Sequence, residues 1–175
     1  MNYKKTRFVK DWERINKHEQ YFESVLPHIL PYVKRMQYKL RRDKKVMVIA
    51  SYHSKIREMD RKISYRAILD VLKWGRVIEF QGYDKIPDEF EVIPTNEPSN
   101  EPCVNVILAK KVFNNGKYHY LHVCVNIQGD NVVIKTVYDP KTMYWQWMDN
   151  YTKRVFYKEV NKVNRKGKIT GFYST

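Results

Sequence analysis

Hydrophobic and polar residues alternate most regularly between residues 104 and 138. Three runs, 104–113, 118–127 and 132–138, have the period of two that is typical of half-buried β-strands. The segments NNGK and QGDN separate these runs, and Asn-Gly and Gly-Asp pairs favour tight hairpin turns because they tolerate positive φ. The pattern therefore predicts an antiparallel β-meander, and RVIEFQ at 76–81 is a further predicted strand.

Apolar residues at helical spacing precede this meander. The stripe Ala67, Ile68, Val71 and Leu72 predicts a helix that begins after the N-cap Ser64 and ends at Gly75. The preceding segment, HSKIREMDRKIS at 53–64, predicts another helix with a narrow apolar stripe.

The first 52 residues are harder to assign from the same pattern. Residues 4–45 are basic and helical in character, and Pro27 and Pro31 predict a break or a new helix start. The apolar run VMVIASY at 46–52 fits either a strand or the first turns of the next helix. At the other end, mixed aromatic and apolar spacing from Met143 to Asn161 predicts a helix, followed by a basic tail.

The predicted strands have two different faces. In KYHYLHVCVNI, the face with Leu121, Val123, Val125 and Ile127 is a predicted core face, and the opposite face carries Tyr118, Tyr120, His122 and Asn126. Strict alternation places Thr136 and Tyr138 on the same face as Val132 and Ile134. The sequence thus predicts an α+β fold in which N-terminal helices pack on a small antiparallel meander. Its predicted divisions are a basic helical extension (1–45), a core domain (46–150) and a basic tail (151–175).

The charge of the chain points to a polyanionic partner. The 175 residues carry a formal net charge of +14, which attracts nucleic acid, acidic membrane surfaces or acidic proteins. The cluster KRMQYKLRRDKK is either a solvated helix face or an arm that follows phosphates. The predicted nucleic-acid-binding residues are Lys34, Arg35, Lys39, Arg41, Arg42, Lys44, Lys45, Tyr120, Lys135 and Thr136.

Several classes of function lack their motifs. The sequence contains no Walker motif, no G-x-G-x-x-G and no H-E-x-x-H, and its two cysteines have no zinc-like spacing, so we expect neither a metal nor a cofactor. It has no secretory h-region and no apolar run long enough to cross a membrane, so we expect a cytoplasmic protein.

His53, Arg57 and Arg61 follow one another at intervals of four residues, which stacks them on one face of a helix. Neighbouring cations on one helix face repel one another, and an anion or a carboxylate opposite that face offsets the repulsion. Arginine offers a planar fork of donors that suits phosphate, and histidine titrates near neutral pH. The pattern therefore indicates either an anion site or an ordinary solvated helix face.

The ordered set H53-x3-R57-x3-R61-x-I63-S64, LKWGRVIEF, YLHVCVNI and IKTVYDP resembles a widespread bacterial and phage domain family of unknown function. That family is grouped with RelE-like and BrnT-like toxins, in the barnase–EndoU–colicin–RelE class of metal-independent ribonucleases. The resemblance covers residues 48–147 and implies RNA cleavage by attack of the 2′-hydroxyl. The implied catalytic residues are His53, Arg57, Arg61, His122 and Tyr138. In the implied mechanism a histidine accepts the proton, a histidine or a tyrosine donates one to the leaving oxygen, and the arginines stabilise the phosphorane.

A second interpretation needs no catalysis. The basic N-terminal segment also suits a nucleic-acid- or protein-binding module, such as a phage-encoded inhibitor of a host or defence complex. The expected partners are RNA or another polyanion, together with an acidic antitoxin or a host or defence protein.

Overall fold

The computed structural model describes residues 6–51, 55, 61–80 and 103–161. The helices are α1 (Trp12–Arg41), α2 (Tyr65–Trp74) and a 3₁₀ helix (Pro140–Gln146). The strands are β1 (Thr6–Lys10), β2 (Met47–Ala50), β3 (Arg76–Phe80), β4 (Val104–Asn114), β5 (Lys117–Gln128), β6 (Asn131–Tyr138), β7 (Trp147–Met148), β8 (Lys153–Arg154) and β9 (Tyr157–Asn161).

Five strands form the central sheet in the order β2-β6-β5-β4-β3. Strands β3 to β6 pair antiparallel, so the predicted meander is confirmed, and β2 is added parallel to β6. At the turn between β4 and β5, Asn115 and Gly116 have φ values of 51° and 78°, the positive values that an Asn-Gly turn tolerates. The α+β class predicted from the sequence is therefore correct.

Helices α1 and α2 cover one face of this sheet. The predicted helix at 65–74 is confirmed, and its N-cap Ser64 accepts a hydrogen bond from the backbone of Ala67 at 3.2 Å. The largest core cluster joins Ile68, Val71 and Leu72 of α2 to Leu121, Val123, Val125 and Ile127 of β5, which confirms the predicted core face of β5. Burial of these side chains provides the main stabilisation of the fold.

The predicted helix break at Pro27 and Pro31 is wrong, because α1 is a single helix of 30 residues that contains both prolines. A proline inside a helix removes one backbone hydrogen bond. Packing offsets this cost, since Ile29, Val33 and Met36 follow the prolines closely and lie in the same core cluster as α2 and the sheet. Residues of the predicted N-terminal extension and of the predicted core domain therefore share one hydrophobic core.

A bulge changes the predicted faces of β6. Cys124 pairs with Thr136 and the next residue, Val125, pairs with Ile134, so Lys135 is an extra residue on β6. Because a bulge shifts the alternation by one residue, the placement of Thr136 and Tyr138 beside Val132 and Ile134 is wrong. Val137 points to the helices, and Tyr138 lies on the opposite face.

The C-terminal segment covers part of that opposite face. The helix predicted from Met143 onward is wrong for the described residues, which form a 3₁₀ helix followed by three short strands. Trp147 and Val155 are buried, and Trp147 packs in a second cluster with Ile78, Ala109 and Tyr138. Strand β9 pairs with β1, which joins the two ends of the described chain.

Several predictions fall outside the described residues. These are most of the helix at 53–64, including His53 and Arg57, and the end of the basic tail. Lys55 and Arg61, which belong to the predicted helix, are both helical. None of the helices in the described ranges is long and apolar enough to span a membrane.

Candidate nucleic-acid interface

His122 and Tyr138, two of the implied catalytic residues, lie together beneath the C-terminal segment. The His122 side chain is 0 % exposed, and its Nδ1 is 3.1 Å from the Tyr138 hydroxyl. Trp147 packs edge-on against the His122 ring at a centroid distance of 4.6 Å. His122 is on the face opposite the helices, as the alternation predicts, but this face is covered here because the 3₁₀ helix and β7 place Trp147 over the ring.

Burial keeps both side chains of this pair neutral. Desolvation lowers the pKa of His122 to about 4, and the nearby backbone of Tyr151 opposes this shift only in part. Burial also raises the pKa of the Tyr138 hydroxyl above its ordinary value. Within the described chain, His122 Nε2 makes no hydrogen bond of ordinary geometry. In this conformation the pair is a buried polar contact within the core, and an RNA strand does not reach it.

Arg61 is the remaining implied catalytic residue in the described ranges. Its side chain is exposed, and its Nη1 donates a hydrogen bond to the Val137 carbonyl at 2.9 Å. This contact joins the end of the predicted His-Arg-Arg helix to the strand residue that precedes Tyr138. His53 and Arg57, the other two residues of that helix, lie outside the described residues.

Most of the predicted nucleic-acid-binding residues are at the surface, around the C-terminal half of α1. Lys39 is partly buried and forms an ion pair with Asp130 at the β5–β6 turn. Tyr120 is half-buried against Tyr151, with ring centroids 5.6 Å apart, and Thr136 is also partly buried. The exposed members of the set are Lys34, Arg35, Arg41, Arg42, Lys44, Lys45 and Lys135.

Cations lie over exposed aromatic rings where the C-terminal ends of α1 and α2 meet. The Arg41 guanidinium is 4.7 Å from the centroid of Trp74, whose side chain is 59 % exposed. One turn earlier, Tyr38 lies beneath Arg42 and Lys44, at 5.8 and 5.2 Å. We call this region the α1–α2 surface; it consists of Tyr38, Arg41, Arg42, Lys44, Lys73 and Trp74.

A cavity of about 580 Å³ continues from Lys73 along the outer side of α2. We call it the α2–β4 cavity, and its wall contains basic and aromatic side chains that were not among the predicted binding residues. These are Arg66, Lys73, Lys110, Lys111, Phe113 and Tyr118. The sequence does contain a sign of this site in the polar face of α2, where Arg66, Asp70 and Lys73 recur at helical spacing. Their proximity to β4 required the tertiary structure.

Hydrogen bonds fix the β4–β5 hairpin to the N-terminal end of α2. The Asn114 side chain accepts from the Ser64 amide at 3.0 Å and donates to the Lys62 carbonyl at 3.2 Å. The Asn115 side chain donates to the same carbonyl at 2.8 Å. Both walls of the α2–β4 cavity are therefore held in place before any ligand arrives.

No group of three or more His, Cys, Asp or Glu side chains within the described ranges could hold a metal ion. Comparisons with family models, with curated proteins and with solved structures found no match.

Proposed function

We propose that this protein binds single-stranded nucleic acid, RNA in particular, through the α1–α2 surface. The observation that carries the proposal is the exposed Trp74 ring with the Arg41 guanidinium 4.7 Å from its centroid. Proteins that bind single strands combine cations that follow the backbone with aromatic rings on which bases stack. Trp74 together with Arg41 supplies both of these components at one place on the surface, and this combination supports the proposal.

Arg41 is oriented for this role by the end of α2. Its Nη1 donates to the carbonyl of Lys73 at 3.0 Å, in the last turn of α2, where backbone carbonyls lack helical partners. A guanidinium has five N–H donors, so several remain for a phosphate. The contact fixes the side chain beforehand, which lowers the entropic cost of binding.

The charge of the chain supports the same function. Arg41, Arg42, Lys44 and Lys73 lie on the α1–α2 surface, and the whole chain carries a net charge of +14. Cations of this density bind a polyanion and release its counterions, independently of base sequence. An acidic protein partner, such as an antitoxin, would pair with the same charges; the exposed Trp74 ring beside Arg41 favours nucleic acid, because bases stack on such rings.

RNA cleavage by the implied ribonuclease mechanism stays a prediction. It depends on His53 and Arg57, which lie outside the described residues, and the buried His122 offers no accessible proton donor or acceptor. For this reason we propose that the protein binds RNA, and the experiment described next also measures cleavage.

The experiment uses the full chain and a fluorescently labelled single-stranded oligoribonucleotide in EDTA. Fluorescence anisotropy measures binding, and a denaturing gel of the same samples measures the length of the RNA. The proposal predicts saturable binding. Absence of binding at low salt contradicts the proposal, whereas binding with metal-independent cleavage adds ribonuclease activity to it.

A further inference from the structure

We propose that the α2–β4 cavity binds one nucleotide of the RNA strand, with its base against the Phe113–Tyr118 pair and its phosphate among Arg66, Lys73 and Lys111. This inference rests on the proposed function and assigns a second, defined site to it. Lys73 belongs to both the cavity and the α1–α2 surface, so one strand can occupy both places.

The dimensions of the cavity suit a nucleotide. Its volume of about 580 Å³ falls within the range of about 300–1,000 Å³ that is typical of small-molecule sites. Ala67 and Leu69 provide apolar surface in the wall, and basic and aromatic side chains surround it. A cavity that is partly apolar and rimmed by cations matches a ligand with an aromatic part and an anionic part.

The cavity has more positive charges than its one carboxylate can neutralise, so it favours an anionic ligand. Lys110 Nζ is 2.6 Å from Asp70 Oδ2, so this pair largely cancels. For Arg66, Lys73 and Lys111, the described part of the chain shows no ion pair. Three cations around one cleft repel one another, and an anionic ligand would relieve this repulsion.

The aromatic pair supplies the surface for a base. Phe113 and Tyr118 are 58 % and 67 % exposed, and their rings meet edge to face with centroids 5.2 Å apart. They lie opposite each other on β4 and β5, immediately before and after the Asn-Gly turn. Because Asn114 and Asn115 fasten this hairpin to the residues before α2, ordering the rings costs little on binding.

The two features together favour a nucleotide over simpler ligands. Inorganic phosphate would pair with the cations but leave the exposed rings in water. A neutral aromatic compound would cover the rings but leave the cations uncompensated. A nucleotide satisfies both, and the continuity with the α1–α2 surface favours a nucleotide within a strand over a free one.

The test measures the affinity of the full chain for three probes: a single-stranded oligoribonucleotide, AMP and inorganic polyphosphate. Tyr118→Ala removes one of the two rings of the stacking surface, and Tyr118→Phe retains both. The matched control is Tyr144→Ala, because Tyr144 is also 67 % exposed and also forms an edge-to-face pair, with Trp145 at 5.4 Å. Lys111→Gln is compared with Lys141→Gln, an exposed lysine that does not line the cavity. Circular dichroism verifies that each variant is folded.

We expect Tyr118→Ala to weaken oligoribonucleotide binding about five- to a hundredfold, the range for loss of one base–aromatic stack. Tyr118→Phe, Tyr144→Ala and Lys141→Gln should bind like the original chain, and Lys111→Gln should bind more weakly. Polyphosphate has no base, so its affinity should not change in Tyr118→Ala.

Each alternative result has a distinct meaning. RNA binding that is unchanged in Tyr118→Ala and Lys111→Gln overturns the cavity site but leaves nucleic-acid binding intact. Equal losses of RNA and polyphosphate affinity in Tyr118→Ala also overturn the cavity site. Polyphosphate has no base, so the Tyr118 ring would then not bind a base. Binding of AMP without binding of RNA overturns both the proposed function and the assignment of the site to a strand.

Discussion

The Arg41 guanidinium lies 4.7 Å from the centroid of the Trp74 ring and donates to the carbonyl of Lys73, the residue before that tryptophan. Arg41 thereby contacts the exposed ring and joins the ends of the two helices. We expect Arg41→Lys to weaken RNA binding at moderate salt, because a lysine ammonium lacks the planar fork that both stacks and binds phosphate. Anisotropy with a labelled oligoribonucleotide measures the change.

The matched control for this prediction is Arg14→Lys. The Arg14 guanidinium lies 4.4 Å from the Phe156 ring centroid, near the N-terminal end of α1 and outside the α1–α2 surface. Arg14→Lys should therefore leave RNA affinity unchanged. Equal losses in the two variants would contradict a specific role of the Arg41–Trp74 pair, because both substitutions keep the positive charge and only one of them alters that pair.

Stability should fall with acid because of His122. Its pKa in the folded protein is about 4, below the ordinary value of 6.5, so the unfolded chain takes up a proton first as the pH falls. The corresponding stability is complete above pH 6.5 and is lost as the pH falls to about 4, by on the order of 3 kcal/mol. Denaturant titrations over this range measure the slope.

His122→Gln removes the titrating ring, and its free energy of unfolding should depend less on pH over the same interval. The control is His28→Gln, because His28 is an exposed histidine on α1. If His122→Gln has the same pH dependence as the original chain, His122 is not buried as a neutral side chain.

Gly75→Ala should destabilise the fold by about 1–3 kcal/mol, the usual cost of forcing extra atoms into a packed site. Gly75 has an ordinary φ of −66°, so backbone conformation does not require glycine there. Glycine is needed there because of limited space: a Cβ atom would overlap the Val71 carbonyl oxygen and lie 3.2 Å from the Leu108 Cβ. The measurement is thermal or denaturant unfolding.

The neighbouring Arg76→Ala, an exposed position at the start of β3, serves as the control and should change stability by only about 0.5 kcal/mol or less. A Gly75→Ala variant as stable as Arg76→Ala would mean that α2 and β4 are not as closely packed as described.

Local signals in the sequence predict much of the sheet and α2. The alternation in 118–127, the Asn115–Gly116 turn and the Ser64 N-cap each act over a few residues, and the structure agrees with all three. The continuous α1 could not be predicted in this way. Its prolines act locally, whereas the packing that stabilises Ile29 and Val33 involves residues distant in sequence.

The same distinction applies to the candidate sites. The bulge at Lys135, which turns Tyr138 to the opposite face, is one extra residue that leaves no mark on the alternation itself. The burial of His122 depends on Trp147, which lies 25 residues later in a segment whose spacing suggested a helix. The basic cluster of α1 is predictable from its charge. Its contact with Trp74 is not, because Trp74 belongs to α2 and meets Arg41 only in the folded chain.

Binding of RNA at the α1–α2 surface should depend steeply on salt, because the cations of this surface displace counterions from the phosphates. Anisotropy titrations over a range of salt concentrations give the slope of log affinity against log salt, for the original chain and for Arg41→Gln. Each phosphate contact contributes a slope of about −0.7 for a single strand. We expect a steep slope for the original chain and one shallower by about 0.7 for Arg41→Gln. An affinity that does not change with salt, or equal slopes for the two proteins, would contradict binding of RNA at the α1–α2 surface.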